Sequence, residues 1–340
     1  MHQITILSIA LALGGAACNG LAPVAENAVK PRVVTQQTKH DTDDPAIWIN
    51  RADTLKSLVI GTDKDSDGAL YAFGLDGKIV GQSEPLKRPN NVDIAYNLPL
   101  SGQLTDIAVA TERETKKIRI FRLPGLEPID NGGISVFEGE AQADPMGVAL
   151  YTRPHDSAIF VIVGRKEGPT DGYLWQYRLA DDGKGQVKAE LVRKFGKYSG
   201  KKEIEAIAVD NQLGYVYYSD ETVGVKKYFA DPDKRDDTEL GFFGREGFAS
   251  DHEGISIYPT GDSMGYVIVS NQQANTFMVF RREGKNVFVG EVPVSTIESD
   301  GSDITPVTFG GQFPGGLFVA MSNGRVFHYY AWQDLLERLK

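Results

Sequence analysis

A short pattern recurs six times along this 340-residue chain, and it constrains the fold more than any other feature. Most copies open with an acidic residue, and each continues with small and apolar residues that alternate along the chain. The clearest copy is Glu253-Gly254-Ile255-Ser256-Ile257-Tyr258. The six copies begin at Asp44, Asn91, Met146, Glu205, Glu253 and Asp303, at intervals of 47, 55, 59, 48 and 50 residues. Repeats of roughly 40 to 50 residues built from short strands are typical of β-propellers.

A second unit recurs out of phase with the first. It consists of an apolar strand that ends in polar residues, a turn, and another short strand. The first copy runs from Leu58 to Lys64 and continues from Ala69 to Phe73. The other copies begin at Ile107, Phe160, Tyr215, Tyr266 and Leu317. Continuous apolar runs bounded by turn residues are typical of strands buried between sheets.

The two interlocked repeats predict an all-β fold, a six-bladed β-propeller over residues 33–340. We expect the strand near Val33 to close the ring by pairing with the last blade, because closure removes the free sheet edge. The alternative, two β-sandwiches, does not explain the regular interval between repeats. A monomer is expected.

The N-terminus has the features of an export signal. Ile4 to Ala17 is almost wholly apolar but too short to span a bilayer, and it ends in small residues. Cys18, the single cysteine, stands where a bacterial lipoprotein carries its acylated residue, yet Gly15 occupies a position that is usually Leu in such signals. We therefore predict a signal over residues 1–18 and a tether over 19–32. An outer-membrane or periplasmic lipoprotein and a simply secreted protein both remain open.

The overall charge limits the classes of partner. Thirty-six basic and 46 acidic side chains give a formal charge of −10. This charge argues against nucleic acid or an anionic lipid surface as a partner, so membrane contact is expected only through an N-terminal lipid anchor. An anionic substrate would require bound cations or a local basic cluster.

Acidic residues recur at equivalent positions of both repeats and are candidate metal ligands. Carboxylates without partnering His or Cys are the ligand set of a hard cation, which favours several Ca²⁺ ions over Zn²⁺. Any one of these acids could instead cap a turn or face solvent. The candidate ligands are Asp43, Asp44, Asp93, Glu205, Asp220, Glu221, Glu253, Glu298, Asp300 and Asp303.

Basic residues follow the apolar strand in three successive repeats. They are Lys64, Arg113, and either Arg165 or Lys166. Together they could form a positive wall opposite the acids, an arrangement suited to a multiply phosphorylated ligand. Gln272, at the end of the corresponding strand of the fifth repeat, is a further candidate for substrate binding.

With these residues in view, the chain resembles the β-propeller phytases, a calcium-dependent family, from about residue 33 to the C-terminus. The resemblance is carried by Asp43-Asp44-Pro45-Ala46-Ile47-Trp48, Asn90-Asn91-Val92-Asp93, Asp251-His252-Glu253-Gly254 and Gly284-Lys285-Asn286. It implies calcium ligands at Asp43, Glu205, Glu221, Glu253 and Asp303. It also implies phosphate contacts from Lys64, Arg113, Arg165 and Lys166, and these four basic residues with Glu205 and Glu221 are the candidate catalytic set.

The resemblance implies a calcium-dependent phosphomonoesterase that converts phytate (myo-inositol hexakisphosphate) into lower inositol phosphates by metal-activated water. The chain departs from the family at Met146, where a tyrosine is usual, and at Met321-Ser322, where a glutamine-aspartate pair is usual. These departures favour one alternative, a non-catalytic binding or scaffolding lipoprotein. The other alternative, a calcium-dependent lactonase, has no need for the positive wall.

Overall fold

The computed structural model describes residues 21–234 and 237–339. The predicted signal over residues 1–18, with Cys18, lies outside the described residues. Within the described part of the chain, no helix is long and apolar enough to cross a membrane.

Six antiparallel sheets of four or five strands follow one another along the chain and form six blades. Strand β1 spans Val33–Val34. Blade 1 contains β2–β5 (Thr42–Trp48, Leu58–Asp63, Ala69–Phe73 and Ile79–Gln82). Blade 2 contains β6–β10 (Pro89–Leu100, Gln103–Glu112, Lys117–Arg122, Glu127–Pro128 and Ile134–Ser135). Blade 3 contains β11–β14 (Pro145–Thr152, Ile159–Arg165, Asp171–Asp181 and Val187–Lys197).

The remaining blades are built in the same way. Blade 4 contains β15–β18 (Ile207–Asp210, Tyr215–Asp220, Gly224–Phe229 and Gly241–Phe243). Blade 5 contains β19–β22 (His252–Pro259, Gly265–Asn271, Thr276–Arg281 and Phe288–Pro293). Blade 6 contains β23–β25 (Ser302–Thr305, Leu317–Ser322 and Val326–Ala331), and the short helix α1 (Trp332–Leu336) follows it. The predicted six-bladed all-β architecture is confirmed.

The ring is closed by a strand from the opposite end of the chain. Strand β1 pairs with β25 of blade 6, with Val33 opposite Tyr329 and Val34 opposite His328. The predicted closure is therefore correct, and it joins the first and last parts of the propeller in one sheet.

The blades are held together by apolar faces rather than by backbone pairing. Six buried clusters each join two adjacent blades, one cluster for every interface of the ring. Between blades 1 and 2, for example, Ala46 and Ile60 pack with Val92 and Ala108. Because the middle strands are covered on both faces, they are continuous apolar runs. This packing explains why the second sequence repeat is so regular.

The end of the segment predicted as a tether lies against the propeller. Val29 is buried and forms a parallel bridge with Val294 beside blade 5. Arg32 makes a bidentate pair with Asp334 of α1, at 2.8 and 2.9 Å. Residues 29–34 therefore follow blades 5 and 6 along their surface before they join blade 6.

Candidate active site

The innermost strands of four blades each contain a β-bulge near their first residues. We call the end of the channel at which these strands begin the upper mouth. Register shifts lie between Thr42 and Pro45 in blade 1, and at the corresponding places in blades 2, 3 and 5. A β-bulge bends a strand and redirects its side chains. The residues inside the four bulges are Asp43-Asp44, Asn90-Asn91, Met146-Gly147 and Glu253-Gly254. The copies of the first sequence repeat that begin at Met146 and Glu253 start at the first bulge residue, and those that begin at Asp44 and Asn91 start at the second. The bulges bring residues from different blades to one mouth.

Asn90 joins two acids that are far apart in the sequence. Its Nδ2 donates to Asp43 Oδ2 at 3.0 Å and to Glu205 Oε1 at 2.7 Å. All three side chains are buried. The amide nitrogen thus donates a hydrogen bond to each of two carboxylates that would otherwise face each other without a donor between them.

Lys64 and Asp300 extend this group across blades 1 and 6. Lys64 Nζ forms an ion pair with Asp43, and it lies 3.3 Å from Asp300 Oδ2. Gln272 Nε2 donates to Asp300 Oδ1. Burial lowers the pKa of Lys64, but the carboxylates of Asp43, Asp300 and Glu205 outweigh this effect and raise it above its usual value. Lys64 is therefore a charged lysine at the edge of the acidic site.

Two groups of carboxylates with the spacing of metal ligands lie next to this network. Glu203, Glu205 and Glu221 form one group, and Glu221, Asp251 and Glu253 form the other; within each group, one oxygen per residue lies within 4.8 Å of the others. Two oxygens that each lie about 2.4 Å from one Ca²⁺ ion are at most about 4.8 Å apart. Both groups therefore fit a calcium ion, and they share Glu221.

The carboxylates of these groups are deficient in positive partners. Lys202 Nζ lies 2.9 Å from Glu221 and 2.7 Å from Asp251. Among the described residues, Glu253 Oε2 is buried without a hydrogen-bond partner. Orphaned buried oxygens are costly unless a cation or water satisfies them. The donor set, entirely carboxylate oxygen, suits Ca²⁺.

Burial and mutual repulsion disfavour the charged forms of these acids. Desolvation, followed by the nearby carboxylates, raises the pKa of Glu205 and of Glu253 well above the usual range. Desolvation also raises the pKa of Glu221 to about 7, and desolvation with Asp43 raises that of Asp300 to about 8. A bound divalent cation would reverse this trend, because it favours the carboxylate over the acid.

Three of the predicted ligands lie in a different part of the channel. Asp303 accepts from Ile47 N at 2.8 Å, Asp44 from Val92 N at 3.1 Å, and Asp93 from Leu150 N at 2.7 Å. Each carboxylate thus binds the innermost strand of the next blade. They line a central cavity of about 490 Å³ and belong to neither of the two carboxylate groups. The bond from Asp303 links blade 6 to blade 1, that from Asp44 links blade 1 to blade 2, and that from Asp93 links blade 2 to blade 3.

Two further predicted ligands also lie outside those groups. Asp220 accepts from Ser199 N at 3.0 Å, Ser199 Oγ at 2.7 Å and Lys226 Nζ at 2.7 Å. Its oxygens therefore organise the loop before Glu203. Glu298 is half-buried near Asp251, and desolvation raises its pKa. The ten predicted ligands therefore do not form a single cluster.

The predicted basic wall is only partly at the mouth. Arg113 reaches Met146, to whose sulfur its Nη2 donates, and its Nε has no partner among the described residues. Lys166 is half-exposed, 3.5 Å from Glu203, and lines a pocket of about 430 Å³ with Lys201 and Lys202. Lys166 and Lys202 border the carboxylate groups, whereas Arg113 contacts Met146.

Arg165 is placed differently from the other three basic residues. It is fully buried, with its guanidinium 4.7 Å from the ring centre of Phe137 and 5.6 Å from that of Tyr173. Its Nη1 donates to Gln142 O at 3.1 Å. Burial lowers the pKa of Arg165, although its nearest acid, Glu140, acts in the opposite direction. The adjacent Lys166 is the one of the pair that is open to a ligand.

Sequence reasoning did not assign Asn90, Lys202, Glu203 and Asp251 to the site. Asp251 and Glu203 stand two positions before Glu253 and Glu205, so a shared face in an extended chain was an available signal. Asn90 stands beside the repeat position Asn91. Lys202 had no signal of its own, because it lies in a loop and reaches the acids only through the folded geometry.

Comparisons with known proteins agree with this geometry. The phytase family model matches residues 6–328. The 3-phytase of Bacillus subtilis (strain 168) is 30% identical over 324 residues, which cover 87% of this chain and 81% of that protein. Among solved structures, a luciferin-regenerating enzyme has a TM-score of 0.55 at 14% identity, covering 88% of this chain and 95% of its own, a likeness of fold alone. The Cps50 (Swd1) β-propeller domain of Myceliophteria thermophila has a TM-score of 0.49 at 12% identity, covering 85% of this chain and 83% of its own.

Proposed function

Because this chain belongs to the phytase family and is a phosphoric monoester hydrolase of the phytase type, we propose that it hydrolyses phytate at the upper mouth in a calcium-dependent reaction. The products would be lower inositol phosphates and inorganic phosphate. The observation that carries the calcium dependence is the pair of carboxylate groups that share Glu221, in which Glu203 is partly buried and the other four residues are buried. A substrate with many phosphates and a site with many carboxylates repel each other unless cations lie between them.

The carboxylates would hold the cations at fixed places. Glu203, Glu205 and Glu221 would bind on one side, and Glu221, Asp251 and Glu253 on the other. Bound calcium would neutralise these acids and supply Lewis acidity toward the phosphate oxygens and water. Asn90 would keep Glu205 and Asp43 in position through its two hydrogen bonds.

The basic residues would bind and orient the phosphates. Within residues 21–234 and 237–339, Arg113 Nε has no partner, and its Nη2 donates to a weak sulfur acceptor, so phosphate oxygens could replace that contact. Lys166 and Lys202 line the neighbouring pocket and would receive a second phosphate. Lys64 would stabilise charge on the equatorial oxygens of the reacting phosphate while Asp43 and Asp300 hold its ammonium group in place.

The experiment is phosphate release from phytate by the purified protein, in 1 to 5 mM calcium (roughly the weak-site range) and in excess chelator. We expect release in calcium and none in chelator, with recovery when calcium is added back. Glu221→Gln should abolish the calcium-dependent release, whereas Glu298→Gln, outside both groups, should retain it. Release that persists in chelator would contradict the proposal. A calcium-induced rise in melting temperature without any release would instead favour a binding protein.

We also propose that the chain is exported by residues 1–18, which lie outside the described residues. Mass spectrometry of the mature protein from its native cells separates the two forms of export. A diacylated Cys18 at the N-terminus would identify a lipoprotein, and an unmodified N-terminus near residue 19 a secreted protein. An uncleaved Met1 in the cytoplasm would contradict export. We also propose that the protein is a monomer in solution, which the molar mass from light scattering would test.

A further inference from the structure

Asn275 occupies the turn between β20 and β21 of blade 5, beside the upper mouth. It follows the 3-10 turn Gln272–Ala274 and has φ 55° and ψ 41°, in the left-handed region. Asn is one of the few residues that adopt this conformation readily. Only 5% of the residue is exposed. A buried amide in a left-handed turn must find partners for its donor and its acceptor.

Both halves of the Asn275 amide are bonded to backbone groups that are distant in the sequence. Its Oδ1 accepts from Glu298 N at 3.0 Å. Its Nδ2 donates to Ala22 O at 2.8 Å. The two bonds require the same orientation of the amide, because the Ala22 carbonyl accepts only from the nitrogen and Glu298 N donates only to the oxygen.

The segment that supplies Ala22 is itself docked. Val29 N donates to Pro293 O, and Ser295 N donates to Val29 O, both at 2.9 Å. This pairing runs directly into the loop 296–301, which carries Asp300. Asn275 thus lies where the N-terminal segment, the Gln272 turn and the Asp300 loop meet.

Other hydrogen bonds also hold the loop 296–301, among them Met321 N to Gly301 O and Asn323 N to Ile297 O, both at 2.9 Å. Gly254 N donates to Asp300 O at 2.7 Å, and Ser270 Oγ donates to Ser299 O at 2.8 Å. On its far side, Ile297 N donates to Ser322 Oγ at 3.1 Å. The bond from Asn275 to Glu298 lies between these ties and sets the path of the chain as it enters the site.

We propose that Asn275 is a positioning residue that holds the loop 296–301, and with it the carboxylate of Asp300, in register with Lys64 and Gln272, and that the N-terminal segment orients its amide. Asn275 does not touch the substrate and acts through Asp300. The effect on turnover rests on the function proposed above. The effect on the loop does not, because it follows from the hydrogen bonds alone.

Two substitutions in the full chain separate the roles of the two bonds. Asn275→Gly keeps the left-handed turn, which glycine adopts without strain, and removes both side-chain bonds. Asn275→Asp keeps an acceptor for Glu298 N and loses the donor to Ala22 O. Asn286→Gly is a matched control, because Asn286 is also buried and left-handed (φ 54°) in blade 5, and its Nδ2 donates to the nearby carbonyls of Arg281 and Arg282.

The primary measurement is hydrogen exchange of residues 296–301 in chelator. Loss of one hydrogen bond should speed exchange at Glu298 about fivefold in Asn275→Gly. Asn275→Asp should exchange there like the wild type while residues 22–29 exchange faster. Unchanged exchange at 296–301 in Asn275→Gly, or equal acceleration in Asn286→Gly, would overturn the proposal.

The second measurement is a calcium titration followed by calorimetry and by phosphate release. Because Asp300 holds Lys64 and belongs to neither carboxylate group, we expect kcat at saturating calcium to be about fivefold lower in Asn275→Gly and near the wild-type value in Asn275→Asp, with an unchanged calcium midpoint. An unchanged kcat in Asn275→Gly would contradict the role of Asn275 at the site. If the wild type binds calcium but releases no phosphate, the proposed function fails, and the hydrogen-exchange result still decides on Asn275.

Discussion

Asn90 of blade 2 and Glu205 of blade 4 meet at the upper mouth, where Asn90 Nδ2 donates to Glu205 Oε1 at 2.7 Å. Their blades are not neighbours in the ring, and 115 positions separate them in the chain. The same nitrogen also serves Asp43 of blade 1. One neutral amide therefore links three blades at the point where negative charge is most concentrated.

Replacing the Asn90 amide by a carboxylate should destabilise the metal-free protein through repulsion from Asp43 and Glu205. Asn90→Asp keeps the shape of the side chain but places a third carboxylate beside Asp43 and Glu205. We expect the metal-free protein to lose about 2 to 4 kcal/mol of stability, measured by chemical unfolding in chelator. Calcium should restore most of the loss. The exposed Asn131→Asp is the control, and equal losses in both variants would contradict a special role for Asn90.

Glu253→Gln tests the second carboxylate group. The substitution removes a charge that lies near Glu221 and Asp251 while keeping the volume. The calcium-induced rise in melting temperature and the activity should therefore fall together, with activity at least about tenfold lower. Glu298→Gln, outside both groups, should change neither quantity. A Glu253→Gln variant with full activity and an undiminished calcium effect would remove Glu253 from the metal site.

Arg113→Ala tests the assignment of phosphate binding to blade 2. The loss of a charge-assisted contact should raise KM for phytate roughly tenfold or more, with the calcium midpoint unchanged, because Arg113 contacts Met146 rather than a carboxylate. Steady-state kinetics and a calcium titration measure the two effects separately. Arg122→Ala, at the opposite end of blade 2, should behave like the wild type. Lost calcium binding in Arg113→Ala would mean that the residue supports the acids instead.

Arg165 and Lys166 should separate into a structural and a ligand-binding residue. Arg165→Met removes the guanidinium that packs on Phe137 and Tyr173, so we expect a loss of about 2 kcal/mol in stability with little change in KM. Lys166→Ala should raise KM and leave stability nearly unchanged, because the Lys166 ammonium is half-exposed in the pocket. Thermal unfolding and kinetics on both variants test this. A raised KM with unchanged stability in Arg165→Met would place the guanidinium on the substrate.

His328 should make the closing sheet sensitive to acid. Burial lowers its pKa from 6.5 to about 4 in the folded protein, next to the hydroxyls of Thr296 and Tyr330. The unfolded chain therefore takes up the proton first as pH falls. The contribution of neutral His328 to the free energy of unfolding is at most about 3 kcal/mol. It is fully present above about pH 6.5 and is lost as the pH falls from 6.5 to 4. In chelator, His328→Gln should lack this part of the pH dependence; identical profiles for both proteins would contradict the prediction.

The fold could be predicted from the sequence because its repeats are local and periodic. A strand buried between two blades must be apolar throughout, so an apolar run recurs in the sequence once per blade. Ring closure near Val33 was predictable for a similar reason, since an unpaired edge would otherwise remain. The signals depend on side-chain type and spacing, which the sequence contains directly.

The candidate site was predictable only in part. The repeat identified acids at equivalent positions but not the level of the channel at which each lies. Asp44, Asp93 and Asp303 bond to the next blade, whereas Glu205, Glu221 and Glu253 gather at the mouth. In the bulged strands the position within the bulge decides between these outcomes, since Glu253 is the first of its two bulge residues and Asp44 is the second, and the sequence pattern does not reveal this.

The sequence by itself determined the number of blades, the closure of the ring near Val33 and the presence of acidic and basic residues at the ends of the strands. These follow from alternation and period, which act over a few residues at a time. Only the tertiary structure decided that Asn90 joins Asp43 to Glu205, that Lys202 reaches Glu221, and that Arg165 is buried while Lys166 is open. Those relationships depend on how far each strand end projects into the channel, and packing between blades sets that distance.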